Sequence, residues 1–296
     1  MNLHPAPFEP FRLEGRDCFV KRDDLIHPLL SGNKYRKLFT IVHTPSSAID
    51  TLISYGGIQS NAMLSIAALC RMKGWSFEYT AKSVPEHLRQ EPEGNYQKAM
   101  ALGMRLHEVH PLQYEAAVAA IRARHAAQQP GDGTVVIPQG GADTAAREGI
   151  DVLAAEIRKW KREKGIAGLT VATPSGTGTT AAYLAHALPE CTVVTAPAVG
   201  DAAYLNEQIK RLMPLPENLE ILSTKTPYRF GRPHEDLLRI YLRLREAGIE
   251  FDLLYAPVMW TALLENQDRI GGELLYVHSG GVGGNATMLA RYARRR

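Results

Sequence analysis

Cysteine is scarce in this sequence, with only Cys18, Cys70 and Cys191 in 296 residues. Three widely spaced thiols form neither a disulfide framework nor a paired metal-ligand motif. Charge of one sign is lacking too. The net charge is +3 and no basic stripe is interleaved with aromatics, which argues against nucleic acid as a partner. No apolar run approaches the ~18 residues that a membrane span needs, and no signal peptide is read at the start. The ten histidines form no metal-like pair at helical spacing, and no serine sits in a nucleophile elbow. Metal hydrolysis and triad chemistry are thereby set aside. The expectation is a cytoplasmic protein without structural metal, without a membrane or nucleic-acid partner.

What is present is ordinary globular composition, 45% apolar and 22% charged, long enough for one large or two medium domains. Residues Met1 to Phe11 read as a proline-rich extended arm, and Cys18-Phe19-Val20 as a strand. Beyond them, apolar runs of strand length alternate with amphipathic runs of helix length. Strands are predicted at Thr51 to Ser54, Ser76 to Thr80, Met104 to Val109, Thr134 to Ile137, Leu169 to Thr173, Thr192 to Ala196, Leu219 to Leu222, Phe251 to Tyr255 and Glu273 to Val277. The helices include an alanine-rich run from Gln113 to Gln128 and a run from Ala145 to Lys164 with Leu153, Ile157 and Trp160 on one face. Such alternation argues for an α/β fold with open, mostly parallel sheets flanked by helices. Element grouping puts boundaries near Thr44 and Gly141. Residues 1–44 with 142–296 would form a larger domain, and 45–141 a smaller α/β domain inserted into it. The terminal Arg291 to Arg296 reads as a solvated tail.

The stretch Ser31-Gly32-Asn33-Lys34-Tyr35-Arg36-Lys37-Leu38 follows a charged cluster, Lys21-Arg22-Asp23-Asp24. Tyr35, Leu38, Phe39 and Val42 share a helix face, so Lys34 falls in a first helical turn. The helix dipole and the neighbouring Arg36 and Lys37 would disfavour its ammonium form. A lysine that is partly a free amine can condense with a carbonyl. The Lys21 to Asp24 cluster reads as a solvated salt-bridge patch or as a brace for the lysine loop.

Ligands in open α/β sheets bind outside the carboxyl ends of the strands. Four predicted strand ends carry glycine with hydroxyl or amide groups: Gly56 to Asn61, Gln139 to Gly141, Ser175 to Thr180 and His278 to Asn285. Ser175 to Thr180 combines two glycines, three threonines and a following helix start, which suits either an anion site or a tight structural turn. It lacks the lysine of a P-loop and the dinucleotide glycine spacing. Ser60 is either a helix N-cap or a group that helps to hold a carboxylate.

These segments, in this order, resemble the 1-aminocyclopropane-1-carboxylate deaminase and D-cysteine desulfhydrase family. The resemblance implies pyridoxal phosphate as cofactor, the two-domain fold of the tryptophan synthase β type (fold type II) and a homodimer. It implies that Lys34 forms the Schiff base with the cofactor and later moves the substrate's α-proton. Asn61 would bond the cofactor's phenolic oxygen, and Gly176, Thr177, Gly178, Thr179 and Thr180 its phosphate. Ser279 would face the pyridine nitrogen. Ser60, Gln59 and Asn61 would line the place of the substrate carboxylate, with Phe230 and Tyr255 at the reacting end. The sequence departs from the family at Phe230, where a tyrosine is usual, and at Ala256, where the deaminase branch carries an acid. The Pro257 to Trp260 run departs as well. The expected reaction is α,β-elimination of a small amino acid, D-cysteine giving pyruvate, ammonia and sulfide. The alternatives are ring-opening deamination to 2-oxobutanoate and ammonia, or a cofactor-binding protein with lost or altered turnover.

Overall fold

The computed structural model describes residues 6–30, 32–90, 93–126, 132–141 and 143–294. Of the elements read above, Met1 to Pro5, Ser31, Ala127, Gln128, the boundary residue Ala142 and Arg295-Arg296 lie outside the described residues.

Two sheets organise the chain. The larger contains β1 (Phe8–Leu13), β2 (Arg16–Lys21), β7 (Leu169–Ala172), β8 (Thr192–Thr195), β9 (Leu219–Ile221) and β10 (Glu273–Val277), in the order β1-β2-β10-β7-β8-β9. Only the β1–β2 pair is antiparallel. β10 lies between β2 and β7, so both ends of the chain enter one sheet. The smaller sheet is parallel and contains β3 (Thr51–Tyr55), β4 (Ser76–Lys82), β5 (Met104–Val109) and β6 (Thr134–Ile137), in the order β5-β4-β3-β6. The α/β class with mostly parallel sheets is therefore as expected. The arm is not: Phe8 to Phe11 pair with Cys18 to Lys21 as a strand.

The helices are α1 (Gly32–Lys37), α2 (Phe39–His43), α3 (Asn61–Lys73), α4 (Glu86–Gln90), α5 (Gly94–Ala101), α6 (Tyr114–Ala126), α7 (Ala146–Glu163), α8 (Thr179–Ala187), α9 (Ala202–Lys210), α10 (Glu235–Glu246), α11 (Ala256–Glu265) and α12 (Asn285–Ala293). Successive strand residues point to opposite faces. Val171, Val193, Leu275 and Val277 pack under α7 and α8, whereas Ala172, Val194, Leu274 and Tyr276 pack under α10 and α11. The smaller sheet is sandwiched likewise, against α3 on one side and α6 on the other. On α7, Ile150, Leu153, Ile157 and Trp160 form the buried stripe that the 3.6-residue period predicts.

Three expectations need correction. Phe251 to Tyr255 is not a strand. Asp252 accepts from the backbone N–H of Leu254, Tyr255 and Ala256, at 3.0, 2.6 and 3.3 Å. That turn launches α11, with Pro257 in its first turn. The apolar run was ambiguous because α11 is buried almost all round, which removes the amphipathic period. The Lys34 helix is also broken, at Leu38 (φ −97°, ψ 11°), into α1 and α2. Finally, Arg291 to Ala293 are helical and Tyr292 is buried, so the tail is not solvated at Tyr292, while Arg291, Ala293 and Arg294 are exposed.

Candidate active site

Lys34 sits where the first helix meets the last strand's loop. Gly32 has φ +52°, and a Cβ on it would run into the Ser279 carbonyl. The Asn33 N–H donates to Ser279 O at 3.2 Å. α7 supports the other side. A Cβ at Gly149 would collide with the Arg36 carbonyl, so glycine lets the two helices touch.

The cause of Lys34's chemistry differs from the one read from sequence. The Arg36 guanidinium is turned away from it, bonded by Nε and Nη2 to both oxygens of Asp23 (2.9 Å each). It also bonds both oxygens of Glu156, at 2.8 and 2.7 Å. Lys21 joins this cluster 2.9 Å from Glu156. Lys21 and Asp23 are each 1% exposed, so the charged segment is a buried brace rather than a solvated patch. Desolvation by burial is what lowers the Lys34 amine from 10.5 to about 8, opposed by the negative charge of Asp252. Lys37, also buried, is lowered by burial and by Lys34, and its amine donates to Gly140 O at 3.3 Å. No carboxylate is paired with Lys34 among the described residues.

The other loops are built as follows. His278 stacks on Phe251 at 4.5 Å, its Nδ1 accepts from the Gly280 N–H at 3.0 Å, and its Nε2 lies 2.9 Å from Glu250 O. This ring fixes the turn carrying Ser279. A Cβ at Gly281 (φ +87°) would stand 2.6 Å from Asn61 Nδ2 and 3.6 Å from Asp252 Cβ. The Tyr255 ring lies against Gly176, 3.4 Å from where a Cβ would be, and packs with Phe230 at 5.3 Å between centroids. The Ser279 turn thus meets the backbone before Lys34, Gly281 meets Asn61 and Asp252, and Asp252 leads to Tyr255 with Phe230 and Gly176.

Gly178 (φ +74°) turns the chain into α8, and a side chain there would strike Ile209. No side chain caps α8, which leaves its first N–H groups directed outward at the positive end of the helix. Thr177 and Thr179 share a hydroxyl bond of 3.0 Å beside them. Ser175 is spent internally on Thr195, at 2.7 Å. The remaining segment, Gly176 to Thr180, presents neutral donors at an uncapped helix start.

Ser60 caps α3, its Oγ accepting from Ala62 and Met63 N–H at 3.2 and 3.4 Å, and its hydroxyl also bonds the Tyr79 phenol. Gln59 does not extend into the cleft. Its Oε1 accepts from the Asn95 N–H at 2.8 Å and its Nε2 donates to Glu93 O at 3.0 Å, so it caps α5 instead. Sequence reasoning missed Asp252, Lys37 and Asn95. An acid shortly before a helix-starting proline was the one available signal, at Asp252 and Pro257.

A family model described as pyridoxal-phosphate dependent enzyme matches residues 3–248. This chain belongs to that family. This pyridoxal-phosphate dependent enzyme is 27% identical over 295 residues to D-cysteine desulfhydrase of Serratia proteamaculans, covering 90% of this chain and 87% of the relative. It is 28% identical over 290 residues to D-cysteine desulfhydrase of Klebsiella pneumoniae, with the same two coverages. Among solved structures it resembles an ACC deaminase homologue, with a TM-score of 0.76 at 21% identity over 98% of this chain and 94% of the other. The fold is that of fold type II, as the motifs implied. The donor set fits the cofactor: an unpaired amine lowered to about 8, and an uncapped helix start beside threonine hydroxyls.

Proposed function

We propose that this enzyme is a lyase that eliminates the β-substituent of a small amino acid, with D-cysteine as its substrate. The observation that carries the reading is the Lys34 amine, desolvated to about 8 and next in the chain to Asn33, whose N–H bonds the Ser279 carbonyl. Pyridoxal phosphate, when bound, supplies the electron sink that acidifies the substrate's α-hydrogen. In this reading Lys34 holds the cofactor and then carries the α-proton. Gly176, Thr177, Gly178, Thr179 and Thr180 hold the phosphate. Asn61 donates to the phenolic oxygen, and Ser279 offers the ring nitrogen a neutral hydroxyl. Ser60, at the start of α3, helps to hold the substrate carboxylate.

Tyr255 takes the part of an acid. Burial, and then the charge of Asp252, push its phenol well above the ordinary tyrosine value. It stays protonated at neutral pH, and its place against Gly176 and Phe230 lets it donate to departing sulfur. Phe230 forms an apolar wall beside it, 44% exposed. The overall step breaks the α C–H and β C–S bonds and, with water, gives pyruvate, ammonia and hydrogen sulfide.

The same reading makes the protein a cytoplasmic homodimer. Free, buried thiols at Cys18, Cys70 and Cys191 support a reducing compartment, and the family resemblance supports the dimer. It also keeps residues 45–141 as an inserted domain in a larger one of 1–44 and 142–296, supported by the separate pairing of β3 to β6.

The test is a paired assay. Pyruvate and sulfide released together from D-cysteine are expected. Production of 2-oxobutanoate from 1-aminocyclopropane-1-carboxylate, with no pyruvate from D-cysteine, would replace this reading by the deaminase. No keto acid from any D- or L-amino acid would leave a cofactor-binding protein.

A further inference from the structure

We propose that Asn95 is a positioning residue that holds the Asn61 amide with its NH2 toward the cofactor, an inference that rests on the role given to Asn61 above. Asn95 stands at the start of α5 and is 2% exposed. Its Nδ2 donates to two acceptors, the Gln59 carbonyl at 3.1 Å and Asn61 Oδ1 at 2.7 Å.

The order of these bonds settles a direction. An asparagine amide can be turned end for end, so each orientation has to be argued from its partners. The Gln59 main-chain carbonyl can only accept. Asn95 must therefore present Nδ2 to it, and the second hydrogen of that Nδ2 points to Asn61. The Asn61 atom that receives it must be Oδ1, so Nδ2 of Asn61 faces away. There it stands 2.6 Å from the Cβ position of Gly281, on the side of the turn that carries Ser279. A fixed main-chain acceptor thus determines, through two side-chain amides, that the site is offered a donor. A donor is what an anionic phenolic oxygen requires. The opposite orientation would bring Oδ1 against it.

Two further observations mark Asn95 as built for this task. Its own Oδ1 is buried with no hydrogen-bond partner among the described residues, a costly arrangement for a residue that only filled space. The backbone around it is also anchored. Gln59 Oε1 accepts from both Asn95 N and Tyr96 N, at 2.8 and 3.3 Å. Gly94 (φ +66°) has no room for a side chain between Thr287 and Gln59. The amide of Asn95 consequently has little freedom to follow Asn61 if Asn61 turns.

The experiment is a double-mutant cycle read by binding and spectrum rather than turnover. Apoprotein is titrated with pyridoxal phosphate for the wild type, Asn61→Ala, Asn95→Ala and the double variant. The pH titration of the visible band is recorded for each. Asn95→Ala is expected to weaken binding roughly tenfold, the size of one lost hydrogen bond to a charged group. It should also move the band's titration to higher pH, because a donor facing an oxygen that gains negative charge lowers that pKa. In the Asn61→Ala background, the same substitution should change neither quantity. Asn95→Ser, too short to reach Asn61 but still polar, provides a second variant with the same expected pattern. Equal losses in both backgrounds, or no loss in either, would overturn the positioning role of Asn95 alone. If Asn61→Ala itself leaves affinity and band unchanged, the role of Asn61 fails first, and this inference fails with it.

Discussion

The backbone N–H of Asn33 donates to the carbonyl oxygen of Ser279 at 3.2 Å, which ties the residue before Lys34 to the turn after the last strand. Two ends of the chain are brought to one point by β10, which inserts between β2 and β7. The joint depends on Gly32, whose positive φ and missing side chain let the two backbones meet.

Replacing Gly32 by alanine should therefore do two things. The left-handed backbone alone costs ~1–2 kcal/mol for a residue with a Cβ. The collision with Ser279 adds displacement of the turn, so cofactor affinity should fall as well. Gly165→Ala is the control. Its φ is +65° but nothing lies within 4 Å of its Cβ position. It should lose stability in chemical denaturation while keeping normal affinity. Equal affinity losses in the two variants would contradict the argument.

Cofactor loading should follow the ionisation of Lys34. The folded-state pKa is lowered from 10.5 to about 8, so the reactive free amine appears as pH rises through about 8. At pH 7.5 roughly a quarter would be free amine, against about a thousandth for an unperturbed lysine. Stopped-flow rates of visible-band formation in apoprotein should rise across pH 7–9 and then level off. The linkage has the same sign. Desolvation penalises the folded ammonium form, so this contribution is most unfavourable below pH 8 and fades toward pH 10.5.

The buried brace gives a stability test. Asp23→Ala would leave Arg36 and Lys21 buried with only Glu156, and removing one partner of such a cluster costs about 3–5 kcal/mol. The loss should appear in the urea midpoint. Burial works to raise the Glu156 carboxyl, yet its bonds to Arg36 hold it below the ordinary carboxylate value. Its contribution is present above pH 4.5 and lost as acid titrates it in the folded state. Asp236→Ala, in an exposed pair with Arg239, should cost under about 1 kcal/mol.

Tyr255→Phe removes the protonated phenol but keeps the ring against Gly176 and Phe230. General-acid loss predicts a fall in kcat of roughly 10²–10⁴-fold with KM little altered. A rise in KM at constant kcat would make Tyr255 a binding group only.

Much of this site was legible in the sequence because it is local. The Gly-Asn-Lys turn, the threonine cup after β7 and the Ser279 turn each announce themselves by residues that backbone geometry restricts. The alternation of strands and helices followed from period and length alone. What was not legible depends on distant partners. Nothing beside Lys34 shows that Arg36 would be neutralised by Asp23 and Glu156, so its charge was wrongly set against the amine. Asn95 lies in an ordinary helix start, and only its bond to Asn61 gives it meaning. Phe251 to Tyr255 failed for another reason: a fully buried helix start and a buried strand share the same apolar composition.

The central claim is that Lys34, and no other lysine, carries the cofactor. Lys37 is the natural competitor, since its amine is also lowered by burial. It is, however, directed at Gly140 O. Borohydride reduction of the loaded protein, followed by fragment mass spectrometry across residues 32–40, separates the two. The reduced adduct is expected on Lys34, and is lost in Lys34→Ala with the fold retained; an adduct on Lys37, or none after loading, would contradict the assignment to Lys34.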